Sequence, residues 1–263
     1  MTTGTERTRS GRAEAIRRVH HVGIVVRRLD EAYGFYRDAL RLPLVREATV
    51  PDQGVRAALL AAGESEVELL EPTAPGGVQR FLDTRGEGLH HVCFEVPDVE
   101  RALRAFEAQQ VELIDRVPRP GLAGRIGFLH PRACAGVLVE LATPSPGAPA
   151  PDAWLRLKRL VIGVSDPRRA ARLFQQLFGL PEVAMNGGPR TMLAVGRGSI
   201  LMVPADEVGG AAGMVALSLI ATDFPAIVAG LERAGTRLLK GTGEVTVDPA
   251  SSHGVHLHIS RYD

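Results

Sequence analysis

Four segments of this chain repeat one plan, and that repetition limits the folds open to it more than any single motif does. RVHHVGIVVRRLDEAYGFYRDAL, GLHHVCFEVPDVERALRAFEAQQ, KRLVIGVSDPRRAARLFQQLFG and VALSLIATDFPAIVAGLERAG each run a β-rich stretch into an Asp and then into a helical pattern. The Asp residues are Asp30, Asp98, Asp166 and Asp223. Each is placed to cap a helix by accepting from its first free backbone N–H groups, and Pro167 supplies the φ of a first turn. Apolar residues follow at helical spacing, as in Val99, Ala102, Leu103 and Phe106, so each helix has one face to bury. Gly179 and Gly235 are placed to end two of them. Strand-like runs divided by turn signals come next: PDQG and AGE in the first unit, PRPGLAG and HPRACAG in the second. Each unit therefore reads as βαβββ. One helix covers only one face of a small sheet, so the units must pair. The expectation is an α+β chain of four βαβββ modules paired into two domains, each a curved sheet around a cup.

Between the second and third units lies TPSPGAPAPD, whose four prolines cannot sit in a sheet interior. The expected division is a disordered tail over 1–17, a first domain over 18–144, a Pro-rich linker over 145–153 and a second domain over 154–263. The 263 residues are 45% hydrophobic and 23% charged, which suits globular domains rather than a disordered or fibrous chain. Thirty-one basic against 30 acidic residues leave a net charge of +1, too small a field to draw nucleic acid or an anionic membrane surface. No apolar run approaches the ~18 residues of a membrane span. Two cysteines, Cys93 and Cys134, fit a reducing cytoplasm, with one disulfide left open.

Strand geometry selects among the histidines, because neighbouring side chains in a strand point to opposite faces. Strict alternation puts His20 with Val22, Ile24 and Val26, and His21 with Gly23 and Val25. It puts His90 with Val92, Phe94 and Val96, and His91 with Cys93 and Glu95. The more apolar face packs on the helices, so His21 and His91 turn toward the cup from equivalent places in two units. Two carboxylates stand in the closing strands, Glu68 in EVELLEP and Glu140 in GVLVELATP. An inward carboxylate among aliphatic neighbours costs several kcal/mol unless a cation offsets it. Taken singly, each His fits an ordinary core or surface position and Glu68 fits a wet edge. Repetition of the His-His pair, each with a carboxylate in its own unit's last strand, favours a site for one divalent ion. The mixed N and O donors suit Co, Ni, Mn, Mg or Zn and do not choose among them.

These residues resemble the methylmalonyl-CoA epimerases of the vicinal oxygen chelate superfamily, whose members pair βαβββ modules around a divalent metal. The resemblance runs from about Val19 to Pro144 and rests on HHVGI, DQGVR, VELLEPT, RGEGLHHVCFEV, RIGFLHP and GVLVELATP in order. It places His21, Glu68, His91 and Glu140 on the family's four metal-ligand positions. It implies epimerisation of (2R)- and (2S)-methylmalonyl-CoA by proton transfer at C2 through a metal-stabilised enolate. Glu140 resembles one of the family's proposed bases, a role that needs one carboxylate oxygen free of the metal. The implied partner is an acyl-CoA, with no nucleic acid and no membrane. Some epimerases carry a second basic Glu just after QGVR, where this chain has Ala57; Glu47, Glu68 or a metal-bound water stay open for that role. Arg116, Arg119 and Arg125 are open between contacts to coenzyme A and solvated loop charges. The competing readings are a glyoxalase I type lactoylglutathione lyase and a metal-free small-molecule (antibiotic) binding protein. An extradiol dioxygenase is less favoured, having no use for Glu68 as a fourth ligand.

Aligning the repeats sets Arg159, Ile200, Ala216 and His258 at the four ligand positions of the second half, so that half is expected to be degenerate and metal-free. His253, His256 and His258 are ordinary strand residues on the favoured reading. A fused copy of this kind predicts a pseudo-dimer within one chain, with a homodimer as the further option. Trp154 is expected to anchor the second domain's core and Cys93 to pack rather than react. Met185, Met192, Met202 and Met214 read as gap fillers, and Gly76-Gly77 and Gly209-Gly210 lack the context of a phosphate loop.

Overall fold

The computed structural model describes residues 15–145 and 152–262. The first domain comprises β1 (Val19–Val25), α1 (Leu29–Tyr33), β2 (Leu44–Val50), β3 (Val55–Ala62), β4 (Ser65–Pro72), α2 (Gly77–Arg85), β5 (Gly88–Glu95), α3 (Val99–Ala108), β6 (Arg119–Gly121), β7 (Gly124–Leu129) and β8 (Val139–Pro144). The second comprises β9 (Leu155–Val164), α4 (Pro167–Phe178), β10 (Glu182–Val183), β11 (Thr191–Val195), β12 (Gly198–Pro204), β13 (Gly213–Ala221), α5 (Phe224–Arg233), β14 (Leu238–Gly241), β15 (Glu244–Val247) and β16 (His256–Ser260). Each domain is one eight-stranded sheet, in the orders β2-β3-β4-β1-β5-β8-β7-β6 and β10-β11-β12-β9-β13-β16-β15-β14. These are paired βαβββ modules, joined through antiparallel β1–β5 and β9–β13. None of the helices among the described residues is long and apolar enough to cross a membrane. The expected linker lies mostly outside the described residues, as does most of the expected tail. Residues 15–17 belong to the fold: Ile16 packs on the core and the Arg17 N–H donates to the Glu95 carbonyl.

Three of the four Asp caps form. Asp98, Asp166 and Asp223 accept from the backbone N–H groups of Arg101, Arg169 and Ala226. Asp30 does not cap. The first helix begins at Leu29 with Arg28 at the cap position, two residues before the place Asp30 would set, and Asp30 pairs with Arg56 at 3.2 Å. This helix continues as one π-helical segment, Gly34–Ala39, whose wider turn keeps Phe35, Tyr36 and Ala39 on the buried side. The sequence pattern did not mark α2, which lies in the connection between modules and lays Leu82 on the inner face of the first sheet.

One continuous apolar core joins the helix-bearing faces of both sheets. Phe94 and Phe106 meet Phe178 with ring centroids 5.1 and 5.9 Å apart, and the Tyr36 hydroxyl donates to the Ser252 carbonyl at 2.9 Å. The other face of the first sheet carries separate small clusters, Val55, Ala57, Leu59 and Leu70 on one side and Cys93, Ile126, Phe128 and Ala142 on the other. That inner face is the cup. Trp154 does not enter the core as expected: it is 39% exposed and lies beneath the guanidinium of Arg41 at 4.6 Å, because the strand that would bury it starts only at Leu155.

Candidate metal centre

Four buried side chains converge in the first cup. His21 Nε2 lies 3.0 Å from His91 Nε2, and each is 3.4 Å from Glu68 Oε2. Glu140 turns Oε1 to His21 at 3.8 Å and Oε2 to His91 at 3.4 Å. Register explains the meeting. Gly23 sits across from both His91 on β5 and Glu68 on β4, and Cys93 sits across from both His21 on β1 and Glu140 on β8. Two modules each contribute one imidazole and one carboxylate around the β1–β5 seam.

Strict alternation fails at the other two histidines. The β1–β5 pairing jumps from Val19 opposite Phe94 to His21 opposite Cys93, and from Gly23 opposite His91 to Ile24 opposite Leu89. His20 and His90 are therefore the extra residues of two bulges, one in each strand, and do not face the helices with Val22 and Val92. His20 Nδ1 lies 2.9 Å from His21 Nδ1, and His90 Nδ1 lies 3.0 Å from His91 Nδ1. Burial above all, and then positive charge on the adjacent imidazole, hold His20 down to about 2 and His90 down to about 3. Each stays neutral and offers an unprotonated ring nitrogen. Accepting from the Nδ1–H of the neighbour fixes the tautomer that presents Nε2 inward.

Gly23 is the functional residue that the sequence reading passed over. A β-carbon there would lie 2.2 Å from His91 Cε1, so the His91 ring occupies the space of the missing side chain. A glycine among β-branched strand neighbours was the available signal, since it often marks a close approach. Above the cluster, the loop after β6 is tied across the cup by the Arg46 guanidinium donating to the Leu122 carbonyl at 3.1 Å. A cavity of about 240 Å³ beside it reaches His20 and Glu66. Glu66 shares the cup face, and its Oε2 is buried without a hydrogen bond. Glu47 lies on the opposite face, opposite Ala58 on β3, where Tyr33 donates to it and Arg56 pairs with it, so it does not address the cup. Ala57 is enclosed among apolar neighbours. The three loop arginines are engaged within the chain: Arg116 with Glu107, Arg119 with Asp115, and Arg125 with the Pro118 carbonyl.

The donor set fits a divalent cation. Glu68 and Glu140 are 6% and 3% exposed, buried against imidazoles rather than against Lys or Arg. Burial disfavours charge on His21, yet Glu68 and Glu140 outweigh it and push His21 up to about 9. Burial pushes Glu140 up, whereas the imidazoles overcome burial at Glu68 and hold it well below the usual carboxylate range. Left to itself, the cluster recruits a proton where a cation balances it.

The second cup lacks this set. Arg159, Ala216 and His258 occupy the expected positions, but the fourth is Leu201 rather than Ile200. Glu68 pairs with Gly23, and the residue paired with the corresponding Val161 is Leu201, while Ile200 faces the shared core. His258 is held by Glu244 at 3.1 Å and His253 by Glu87 at 3.0 Å. Among the described residues, the groupings of donors able to hold a metal lie in the first cup.

Fold and site together define a paired-βαβββ protein with a cluster of metal-type donors in one of two cups. The model of the Glyoxalase/Bleomycin resistance protein/Dioxygenase superfamily matches residues 20–128. The uncharacterized protein YqjC of Bacillus subtilis is 43% identical over 129 residues, covering 48% of this chain and 92% of that protein. The mitochondrial methylmalonyl-CoA epimerase of Mus musculus is 33% identical over 127 residues, 47% of this chain and 71% of that protein. The chain belongs to the glyoxalase/bleomycin resistance protein/dioxygenase superfamily, with methylmalonyl-CoA epimerases among its homologues. A mutant of 4-hydroxymandelate synthase from Streptomyces coelicolor matches with a TM-score of 0.70 at 15% identity, over 93% of this chain and 92% of that one. That likeness concerns the two-domain fold alone.

Proposed function

We propose that the first domain epimerises the C2 centre of a methylmalonyl thioester of coenzyme A, interconverting its (2R) and (2S) forms by proton transfer. The observation that carries this reading is the convergence of His21, Glu68, His91 and Glu140 within 3.0 to 3.8 Å, in a chain homologous to epimerases. On this reading those four residues hold one divalent ion, Co, Ni, Mn, Mg or Zn. Bound there, the ion supplies a Lewis acid to the oxygen on which charge builds as the C2 proton leaves. The chain does the rest. On this reading one oxygen of Glu140 stays with its imidazole while the other takes the C2 proton from one face, and a second group must deliver a proton to the opposite face for the configuration to invert. His20 and His90 hold the ligand rings in orientation. The walls around Ala57 and Phe128 exclude water from the carbanionic carbon, and the Ala57 wall delivers no proton to it. The second domain covers, within one chain, the surface a second copy would otherwise cover, making the molecule a pseudo-dimer.

The test is C2 deuterium exchange. Metal-loaded protein is incubated with (2S)- or (2R)-methylmalonyl-CoA in D₂O and the label at C2 is followed, with methylglyoxal plus glutathione as the parallel substrate. Exchange with the thioester alone is expected, and Glu140→Gln should abolish it. Lactoylglutathione formation without C2 exchange would overturn the proposal.

A further inference from the structure

A larger cavity than the one beside the metal centre, about 600 Å³, opens where α2 and the start of β5 meet the second sheet. Its floor is the second cup. Val161 and Ala216 face each other across β9 and β13, and His256 is the neighbour of Ala216 on β16. These two positions correspond to Gly23 and His91, so a small residue stands where the first cup has an imidazole. Leu89, Val208 and Met214 add apolar wall.

The charged groups at this cavity are not balanced. Its two carboxylates are already engaged, Glu87 by His253 and by the Arg27 N–H, and Glu207 by Arg190 at 2.6 Å. Arg85 and His256 are both exposed and have no ion pair among the described residues; the Arg85 guanidinium only overlies the Phe81 ring, at 5.8 Å. An apolar space of ligand size at a domain junction, with two free donor groups at its edge, matches an apolar body carrying one anionic end. We propose that this cavity binds a small aliphatic carboxylate, its chain along Val161, Ala216 and Met214 and its carboxylate between Arg85 and His256. The cavity also adjoins the metal centre. Phe81 lines it and packs edge-on against His90 at 4.9 Å, and His90 holds His91. An occupant would therefore touch the wall that supports one imidazole of the first cup.

Methyl NMR on the full chain tests this, because the described methionines all belong to the second domain and Met214 alone lines this cavity. With ¹³C-methyl methionine, and Met214→Leu used for assignment, octanoate should shift the Met214 signal saturably while Met185 and Met202 stay still. Octanol should fail at equal concentration. Arg85→Gln with His256→Gln should weaken octanoate about tenfold, as expected for losing charge-assisted hydrogen bonds. These are exposed side chains, so the variant keeps its fold. No Met214 shift with octanoate, or equal binding of octanol, or unchanged affinity in the double variant, would each overturn the proposal. None of these readouts depends on metal or on turnover, so the result stands apart from that of the epimerase assay.

Discussion

Gly23→Ala tests the geometry of the proposed metal centre most sharply, because it adds one carbon and removes no donor. The new β-carbon would lie 2.2 Å from His91 Cε1, 2.4 Å from Nδ1 and 2.8 Å from Nε2. Carbon atoms rest in contact at about 3.5–4.0 Å, so the ring must retreat by roughly 1.3 Å or more. Ligand atoms hold a metal within about 0.2 Å of their ideal distance. The ring has no easy retreat, since His90 holds Nδ1 at 3.0 Å and the Phe128 ring stands 5.5 Å away. The substitution should thus disable one donor of four and weaken divalent-ion affinity by about 100-fold, near 2.7 kcal/mol. Overpacking should cost the fold a further ~1–3 kcal/mol, and at ~2–4 °C per kcal/mol the midpoint falls accordingly. Isothermal titration of chelator-stripped protein with Co²⁺ or Mn²⁺ reads the affinity, and circular dichroism the fold. Gly34→Ala is the control, with nothing within 4 Å of its β-carbon position and a helical φ of −55°. A folded Gly23→Ala protein that binds the ion within threefold of the parent would refute the reasoning.

His90→Phe keeps an aromatic edge against Phe81 but removes the nitrogen that orients His91; metal affinity should fall by roughly 10–100-fold, measured by the same titration. Chelator treatment should lower the thermal midpoint by the linkage amount, about 2.7 kcal/mol for an ion at 100 times its Kd, and readdition should restore it. A midpoint indifferent to chelator would argue that the first cup holds no structural ion. Burial pushes the Cys134 thiol up to about 12 and the Cys93 thiol well above its ordinary value, so neither should react with Ellman's reagent at neutral pH in the folded protein. Both should titrate once the chain is unfolded in guanidinium, and fast labelling of the native state would contradict the burial described here.

Repeats and alternation made much of this molecule readable before its fold was known. Glu68 and Glu140 stand out in sequence as carboxylates in the closing strands, and the regular pairing of those strands brings both to the cup. His20 and His90 defeated counting by twos because a bulge is fixed by the partner strand's register, which the strand's own residues do not encode. Ile200 illustrates a related limit: sequence spacing between the domains does not carry register, and pairing with β9 is what turns Leu201 rather than Ile200 inward. Asp30 carries the right side chain for a cap, but the buried Leu29 starts the helix two residues before the place that cap would set. Trp154 illustrates composition misleading about burial, since a large ring beside a Pro-rich segment found a cation in the other domain rather than a core.

The two cups differ at all four donor positions, and one pair of facing positions shows the steric side of the difference. In the first, Gly23 yields its side-chain volume to His91; in the second, Val161 stands at the Gly23 position and faces Ala216. A valine facing a histidine seated as His91 is seated is excluded by the same 2.2 Å contact. Placing an imidazole at Ala216 would therefore also call for a smaller residue at Val161. Phe178 of the second domain packs on Phe94 and Phe106 of the first, so the two halves share one core while their cups differ.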